Sequence, residues 1–204
     1  MKLYYSTGSC SLAPHIILNE IGAAFEIERV RDRKTMDGVD FLTINQKGYV
    51  PALQLDTGEI LTEGVVIQQY LADLRPETNL LPPQGAIERV RVQEMLVYIS
   101  TELHKSHAPL FNPHMPGEAR HIFEAAVRKH YAFLETQLED GRPYLMGEHP
   151  TIADIYLFVI SRWGKSAGYD INAFPNVAAL AGRIAARPAT QTALNTEALA
   201  KATS

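Results

Sequence analysis

A strand–helix–strand unit fills about the first thirty residues and restricts the possible folds more than any other feature of the sequence. Apolar and polar residues alternate over residues 2–5, apolar residues recur at helical spacing over residues 12–21, and alternation returns over residues 25–28. Gly22 offers a place for the helix to end. Because strands joined through a helical crossover pair in parallel, the unit predicts a small sheet with a helix packed on it.

A second unit extends the sheet after the polar stretch of residues 31–47. Residues 53–56 alternate, residues 56–59 have the composition of a turn, and residues 60–62 return antiparallel. Apolar residues at helical spacing follow over residues 66–74. The order βαβ and then ββα predicts a four-stranded mixed sheet with helices packed on it.

A proline-rich stretch over residues 75–85 marks the predicted domain boundary. Beyond it the strand pattern gives way to apolar residues at helical spacing, which predicts a helical bundle. We expect residues 1–78 to form an α/β domain, residues 79–85 to act as a linker and residues 86–204 to form an all-helical domain. The alanine-rich residues 185–200 predict a last helix within that second domain.

Thr151 and Asp154 precede the apolar run of residues 155–160. A threonine at the N-cap and an acid three residues later make a capping box, which satisfies backbone donors at the start of a helix. The pair therefore predicts a buried helix start, and we assign it to structure rather than to catalysis.

Charge and composition argue against several functions. A net charge of −4 offers no basic surface for nucleic acid. The single cysteine, Cys10, cannot form an internal disulfide, which fits a reducing compartment. The first residues lack the apolar stretch of a signal peptide, and the longest apolar run, residues 155–160, is too short to cross a bilayer. We expect a cytoplasmic protein that binds neither nucleic acid nor membranes.

Cys10 is the first candidate for chemistry, because it lies between a predicted strand and a predicted helix. The positive end of the helix dipole and unpaired N–H groups favour a thiolate there, either that of Cys10 or one brought by a ligand. Ser9 and Ser11 offer hydroxyl donors to a sulfur atom, although serine before a helix is commonly a cap. A small buried core residue is the alternative interpretation of Cys10.

Two dipeptides could bind the main chain or the ends of a ligand. Val50-Pro51 is either a trans proline that opens a strand or a cis proline that exposes the Val50 backbone to an extended peptide. Glu63-Gly64 lies where a strand meets a helix, so free N–H groups would bind a carboxylate while Glu63 takes an ammonium group. An α-amino acid end matches both charges. The alternative is that Glu63 is only a favourable first-turn acid.

Histidines in the second half suggest a metal site, but the sequence has neither an HExxH motif nor a matching acidic ligand spacing for His104, His107, His114 and His121. We therefore expect no metal. His104 and Lys105 lie mid-way along a long predicted helix. We expect them at the surface, where they could meet an anion or a thiolate.

Taken together, these segments resemble the glutathione transferase family, and most of all its bacterial beta class. The resemblance covers nearly the whole chain, and its motifs occur in the order of the family. They are MKLYY and GSCSL (residues 1–5 and 8–12), NQKGYVPAL (45–53), LTEGV and QYLA (61–65 and 69–72), TELHK (101–105) and TIAD (151–154). The resemblance implies a thioredoxin-like N-terminal domain, a helical C-terminal domain, a homodimer and glutathione as co-substrate.

The same resemblance implies roles for residues of the first domain. Cys10 would lie beside the glutathione sulfur. Val50, before a cis Pro51, would pair its backbone with the cysteinyl part of the tripeptide. Glu63 and Gly64 would hold the γ-glutamyl end.

Other residues implied by the resemblance lie nearer the edges of the binding site. Arg33 or Lys34 would meet the glycine carboxylate. His104 and Lys105 would line the site from the helical domain, and Glu102 would approach the glutathione of the partner subunit. Val97 stands where these enzymes usually carry an asparagine that reaches the partner's site, and the loop around Arg33 and Lys34 is shorter than usual.

The chemistry implied is conjugation, in which the glutathione thiolate attacks an electrophilic carbon and displaces a halide or adds to an activated alkene. Cys10 and Ser11 are assigned to the environment of the sulfur, with His104 as a helper and Tyr5 as a further candidate. The expected electrophile pocket is lined by Tyr5, Ser9, Phe111 and Trp163.

Two other functions stay open. In a thiol–disulfide or deglutathionylating enzyme Cys10 would itself be the nucleophile and would form a mixed disulfide with glutathione, because no CxxC partner is present. A carrier of hydrophobic ligands would keep the fold without catalysis.

Overall fold

The structure, a computed structural model, describes residues 1–202 apart from the side chains of residues 165, 166, 201 and 202. The chain divides into two compact units. Unit 1 combines Met1–Thr78 with the segment from Ala186 onward, and unit 2 is Asn79–Ala185. The thioredoxin-like and helical architecture expected for the two parts is confirmed.

In the described chain, strands and helices are interspersed up to Asp73, and the elements after that residue are all helical. The strands are β1 (Lys2–Tyr5), β2 (Glu26–Arg31), β3 (Lys34–Thr35), β4 (Ala52–Gln54) and β5 (Ile60–Thr62). The helices are α1 (Leu12–Glu20), α2 (Gly64–Asp73), α3 (Ile87–Tyr98), α4 (Lys105–His107), α5 (Gly117–Thr136), α6 (Ile152–Ser161), α7 (Gly164–Ala167), α8 (Pro175–Ala185) and α9 (Pro188–Ala202). A π-helical segment, Ile99–His104, joins α3 to α4.

The sheet of unit 1 has the order β3-β2-β1-β4-β5. β1 pairs in parallel with β2, with Leu3 opposite Ile27, and antiparallel with β4, with Leu3 opposite Leu53. β5 returns antiparallel to β4, with Leu61 opposite Leu53. The predicted mixed sheet is confirmed, and it carries one strand more than expected.

The additional strand is β3, which pairs antiparallel with the end of β2. Asp32 and Arg33 join the two strands in a two-residue turn, and both adopt left-handed backbone angles, with φ of 51° and 60°. No sequence pattern predicted β3, because a strand of two residues cannot display an alternating pattern.

Helix α9 packs within unit 1, which corrects the expectation that residues 86–204 form one helical domain. The reason is that seven of the nine residues of α1 are buried, so α1 needs cover from both α2 and α9 besides the sheet. Polar contacts fix α9 there. Arg187 forms a two-point ion pair with Glu20, at 2.5 and 2.8 Å, and Arg29 Nη1 donates to the Ala200 carbonyl at 2.7 Å.

Unit 2 is all-helical, and the expected linker belongs to it. Leu80 and Leu81 are buried, and the Leu80 carbonyl accepts the Ile152 N–H at 3.0 Å. The predicted linker of residues 79–85 is therefore part of the helical core. All ten residues of α6 are buried at the centre of that core. Within residues 1–202, no helix has both the length and the apolar composition that a membrane span requires.

The predicted capping box opens α6. The Asp154 carboxylate is fully buried and accepts hydrogen bonds from the Thr151 N–H at 2.7 Å and from the Thr151 hydroxyl at 2.8 Å. Its other oxygen accepts the Leu145 N–H at 2.8 Å. Asp154 therefore joins the preceding loop to the start of the central helix of unit 2.

Candidate functional site

Cys10 lies in a tight loop that leads from β1 into α1, where the strand–helix pattern predicted it. The Ser9 N–H donates to the Ser6 carbonyl at 3.1 Å, and the Leu12 N–H donates to the Ser9 carbonyl at 3.2 Å. Cys10 is partly exposed, and its thiol donates to the Val50 carbonyl at 3.5 Å. The loop thus brings together two of the residues that the sequence singled out separately.

Ser11 holds the loop from inside. Its side chain is fully buried, and its hydroxyl accepts the Ser6 N–H at 3.1 Å and donates to the Ser6 carbonyl at 3.2 Å. The Ser9 hydroxyl lies 2.7 Å from the same oxygen. Because these groups occupy the Ser11 hydroxyl, it shapes the loop in place of the expected contact with a sulfur atom.

Tyr5 is only 2% exposed and packs against the ring of His15 at 6.1 Å. Burial raises the pKa of the Tyr5 hydroxyl, and the charge of Glu197 raises it further. A buried hydroxyl that resists ionisation does not line an open pocket. The burial of Tyr5 corrects its expected place in the lining of an open electrophile pocket.

The Val50–Pro51 peptide bond is cis, which selects one of the two interpretations of that dipeptide. Buried Asn45 organises the turn before it: its side-chain N–H donates to the Tyr49 carbonyl at 2.7 Å, and its carbonyl accepts the Gly48 N–H at 2.8 Å. Sequence reasoning missed Asn45, because a polar residue within a polar stretch carries no periodic signal.

Helix α2 begins directly after Glu63 with unpaired backbone donors. Glu63 has a left-handed φ of 69°, and its carbonyl accepts the N–H groups of Val66 and Ile67, both at 3.0 Å. The N–H groups of Gly64 and Val65 come before this first helical hydrogen bond, so they have no acceptor within the helix. This helix start can bind an anion, as the sequence predicted.

The Glu63 carboxylate is exposed and pairs with Lys47, whose Nζ lies 2.6 Å from Glu63 Oε1 and 2.9 Å from the Thr62 hydroxyl. An exposed pair of this kind contributes only about 0–1 kcal/mol to stability, so a ligand can replace either partner. A Cβ at Gly64 would lie 3.6 Å from Pro51 Cγ, which is ordinary contact. Packing therefore does not require the glycine, and its absent side chain leaves the helix start bare.

The two expected anchors for a carboxylate, Arg33 and Lys34, are exposed at the β2–β3 turn. Arg33 occupies the turn itself, and Lys34 pairs across the hairpin with Arg31. The Arg31 Nε lies 3.7 Å from the Asp32 carboxylate. This corner of unit 1 is consequently cationic at its tip, and both candidates reach solvent.

In unit 2, His104 ends the π-helical segment and is mostly buried, which corrects its expected surface position. Its Nδ1 lies 2.6 Å from the Tyr156 hydroxyl, and its ring packs against Trp163 at 4.9 Å. Burial lowers the pKa of His104 to about 4, and the neighbouring charges of Lys105 and His107 act in the same direction. At neutral pH the ring is uncharged, so it can donate or accept a hydrogen bond but cannot attract an anion by charge.

The buried imidazole of His107 is fully engaged in the helical core. Its Nδ1 lies 2.7 Å from the Leu103 carbonyl, and its Nε2 lies 2.8 Å from the Tyr169 hydroxyl, which donates to the Tyr131 hydroxyl at 2.8 Å. Burial lowers the pKa of His107. Sequence reasoning considered His107 only as a possible metal ligand, and no local pattern links it to Tyr131 and Tyr169, which lie far from it in the sequence.

Lowering the pH is expected to destabilise unit 2 through His104. The unfolded chain binds a proton near the ordinary pKa of 6.5, whereas the folded chain resists protonation until about pH 4. The contribution of neutral His104 to the free energy of unfolding is therefore fully present above pH 6.5. It is lost as the pH falls toward 4, which lowers the free energy of unfolding by up to about 3 kcal/mol. The urea midpoint of His104→Gln should fall less steeply over this range than that of the wild type. His121→Gln, at an exposed position on α5, is the control, and equal slopes for all three proteins would contradict the prediction.

The other candidates of unit 2 differ in exposure. Trp163 is nearly buried, and its ring meets the half-exposed ring of Phe111 at 5.4 Å, so these two predicted pocket residues lie together beside His104. Lys105 and Glu102 are exposed. Among the described residues, no group of three or more His, Cys, Asp or Glu side chains is placed to hold a metal ion.

Comparison with known proteins identifies the family. The family models "Glutathione S-transferase, N-terminal domain" and "Glutathione S-transferase, C-terminal domain" match residues 7–74 and 98–188. The chain is 42% identical to glutathione S-transferase GstA of Escherichia coli O157:H7, over 98% of this chain and all of that protein. The chain belongs to the glutathione S-transferase family.

Solved glutathione S-transferases have the same fold. A sphingomonad glutathione S-transferase complexed with glutathione is 45% identical and aligns with a TM-score of 0.93 over 98% of this chain and all of that one. The bacterial beta class enzyme of Sphingomonas chungbukensis is also 45% identical, with a TM-score of 0.92 over 97% of this chain and 98% of that one. The predicted likeness to the beta class is confirmed. Cys10, Val50 and Glu63 lie within the N-terminal match, and His104 and Trp163 lie within the C-terminal match.

Proposed function

We propose that this glutathione S-transferase binds glutathione as a thiolate in unit 1 and conjugates it to small hydrophobic electrophiles. The observation that carries the proposal is the continuity of three segments distant in the sequence. The Cys10 thiol lies 3.5 Å from the Val50 carbonyl, and Pro51 lies in ordinary contact distance of the position that a side chain on Gly64 would take. A sulfur site, an exposed peptide backbone and a bare helix start therefore follow one another.

Each end of glutathione has a matching group in this row. The γ-glutamyl carboxylate would accept the N–H groups at the start of α2, and its ammonium group would pair with Glu63 in place of Lys47. The cysteinyl backbone would pair with that of Val50. Arg33 or Lys34 would take the glycine carboxylate. The sphingomonad relative solved with glutathione supports this choice of ligand.

Stabilisation of the thiolate falls to the start of α1. Lowering a thiol pKa from about 8.5 to about 6.5 corresponds to about 3 kcal/mol. A helix N-terminus and one or two hydrogen bonds to the sulfur supply an effect of this size. The N–H groups of Ser9, Ser11 and Leu12 already donate within the loop, as the Ser11 hydroxyl does, so we assign the main stabilisation of the thiolate to the dipole of α1. His104 would add a neutral hydrogen-bond donor from the helical unit, beside Lys105.

The acceptor of the thiol is expected to be hydrophobic. Phe111 and Trp163 present a pair of aromatic rings in unit 2, and Ser9 is partly exposed in the loop of Cys10. We propose small electrophiles with an apolar body, such as aryl halides, as the acceptors, because aromatic rings favour contact with such groups. We assign the enzyme to the cytoplasm, in line with its single cysteine.

A homodimer is supported by one face of α3. Ile87, Val90 and Val97 recur there at helical spacing and are 61%, 51% and 55% exposed in the single chain. Such a row is suited to burial against a second copy. Glu102, exposed further along the same helical segment, would approach the partner's glutathione, and Val97 would extend the apolar contact in place of a polar one.

Binding to immobilised glutathione, followed by turnover of a panel of aryl halides, tests the proposal. Saturable binding with conjugate formation is expected. If calorimetry showed neither heat nor saturation at millimolar glutathione, the proposed glutathione binding would be wrong.

The second candidate is thiol transfer by Cys10, which is favoured by the proximity of the Cys10 thiol to the Val50 carbonyl. Replacing Cys10 with alanine separates the two activities. We expect conjugation to stay within about threefold of the wild type, about 0.7 kcal/mol, because the glutathione sulfur is the nucleophile. Thiol transfer should disappear. Loss of conjugation in Cys10→Ala, with glutathione binding intact, would assign the chemistry to Cys10.

A further inference from the structure

Glu197 of α9 is a buried carboxylate that contacts the loop carrying Cys10. It is 3% exposed, and its Oε2 accepts the Gly8 N–H at 2.9 Å. Its Oε1 lies 3.4 Å from Nδ1 of His15 in α1, which is 1% exposed. The charge of Glu197 also acts on Tyr5 in β1. One side chain near the end of the described chain thus reaches the first loop of the sheet.

Other contacts besides this carboxylate hold α9 within unit 1. Arg187 and Glu20 form a two-point ion pair, and Arg29 binds the Ala200 carbonyl. Burying a carboxylate requires compensating hydrogen bonds, and an apolar residue would pack there at lower cost if anchoring were its only role. The hydrogen bonds of Glu197 go instead to a loop backbone and to an imidazole.

The loop contact of Glu197 is made at a glycine. Gly8 is exposed and has a left-handed φ of 74°, which other residues rarely adopt. Ser11 holds Ser6 within the loop, and Glu197 of α9 holds Gly8. Cys10 lies between these two attachments, two residues after Gly8.

We propose that Glu197 is a positioning residue for the sulfur site: by holding the Gly8 N–H, it fixes the loop in the conformation that presents Cys10 and the bound thiolate to the start of α1. The inference rests on the proposed glutathione chemistry of this loop. Glu197 acts through Gly8 and His15 and touches no reacting atom. Its loss lets the loop shift, and a shift of about 1 Å at a reacting sulfur lowers the rate strongly while the ends of glutathione stay bound.

The test compares Glu197→Ala and Glu197→Gln with Glu20→Gln, a matched control that removes a different anchor of α9. For Glu197→Ala we expect kcat to fall about tenfold and the Kd for glutathione to stay within about threefold. Removing the negative charge of Glu197 would by itself lower the pKa of a nearby thiol, whereas loss of the loop's position at the start of α1 raises it. We expect the loss of position to dominate in Glu197→Ala, so that the acid limb of its pH profile moves up by about one pH unit. Glu197→Gln keeps an acceptor for Gly8, so its shift should be smaller. Glu20→Gln should lower the melting temperature and leave the pH profile unchanged.

A second readout separates this inference from the proposed function. Cys10 is the only cysteine, so the pH dependence of its alkylation by iodoacetamide reports the loop without any turnover. We expect an upward shift of the alkylation profile in Glu197→Ala and a smaller one in Glu197→Gln. An unchanged alkylation profile in folded Glu197→Ala, or an equal shift in Glu20→Gln, overturns the role of Glu197. Failure of the wild type to bind glutathione overturns the proposed function alone.

Discussion

Replacing Glu63 with alanine is expected to weaken glutathione binding by about 100-fold. The carboxylate is the acidic group beside the start of α2, and it forms an exposed ion pair with Lys47 at 2.6 Å. A charge-assisted hydrogen bond to the γ-glutamyl ammonium contributes about 1.5–3 kcal/mol, which corresponds to a factor of about 10–150. Calorimetric titration of glutathione measures the change directly.

The matched control for this experiment is Glu59→Ala. Glu59 is also exposed and lies on the β4–β5 turn of the same sheet, where its carboxylate accepts a hydrogen bond from the Thr57 hydroxyl at 3.0 Å. The affinity of the Glu59→Ala variant for glutathione should stay within about twofold of that of the wild type, about 0.4 kcal/mol. If Glu63→Ala binds as tightly as Glu59→Ala, the γ-glutamyl end does not sit at this helix start.

Replacing Asp154 with alanine is expected to destabilise unit 2 by about 3 kcal/mol or more. The substitution leaves the N–H groups of Leu145 and Thr151 without the acceptors that lie at 2.8 and 2.7 Å. Each buried donor left unpaired costs about 1–3 kcal/mol, and the helix also loses its capping box. The urea midpoint, followed by the fluorescence of the single tryptophan, Trp163, should therefore fall.

Asp140→Ala is the control for Asp154→Ala. Asp140 belongs to the same unit, is exposed and forms its ion pair with Arg142 in solvent. Its loss should change stability by no more than about 0.5 kcal/mol. Equal midpoints for Asp140→Ala and Asp154→Ala would mean that water replaces the lost carboxylate, contrary to the prediction.

Elements with a long periodic pattern could be predicted from the sequence. The βαβ unit, the hairpin and the apolar α6 all followed from alternation or helical spacing, since each buries one face or the whole surface. Strand β3 could not be predicted, because its two residues carry no period. The placement of α9 could not be predicted either, because spacing reveals that a helix has an apolar face but not which surface covers that face.

The candidate site divides along the same line. Positions at the ends of strands and helices, such as Cys10 and Glu63, could be located from the order of the elements. The directions of the side chains could not. Ser11 and Tyr5 turned out to be buried, because the packing of α1 decides which side of the loop faces the core. Glu197 stands in the last helix and reaches the first loop, and no local pattern carries such a pairing.

Unit 1 contains residues from both ends of the chain, and this has a consequence for folding during synthesis on the ribosome. The sheet and α1 emerge first, but their last covering helix, α9, is made of residues 188–202. Until that helix leaves the exit tunnel, one flank of α1 is bare, and a nascent chain must protect it by other means, such as a chaperone. In the sequence, unit 2 lies wholly between the two segments that form unit 1. Unit 2 can therefore complete its core before α9 has been synthesised, so the segment synthesised second is free to finish folding first.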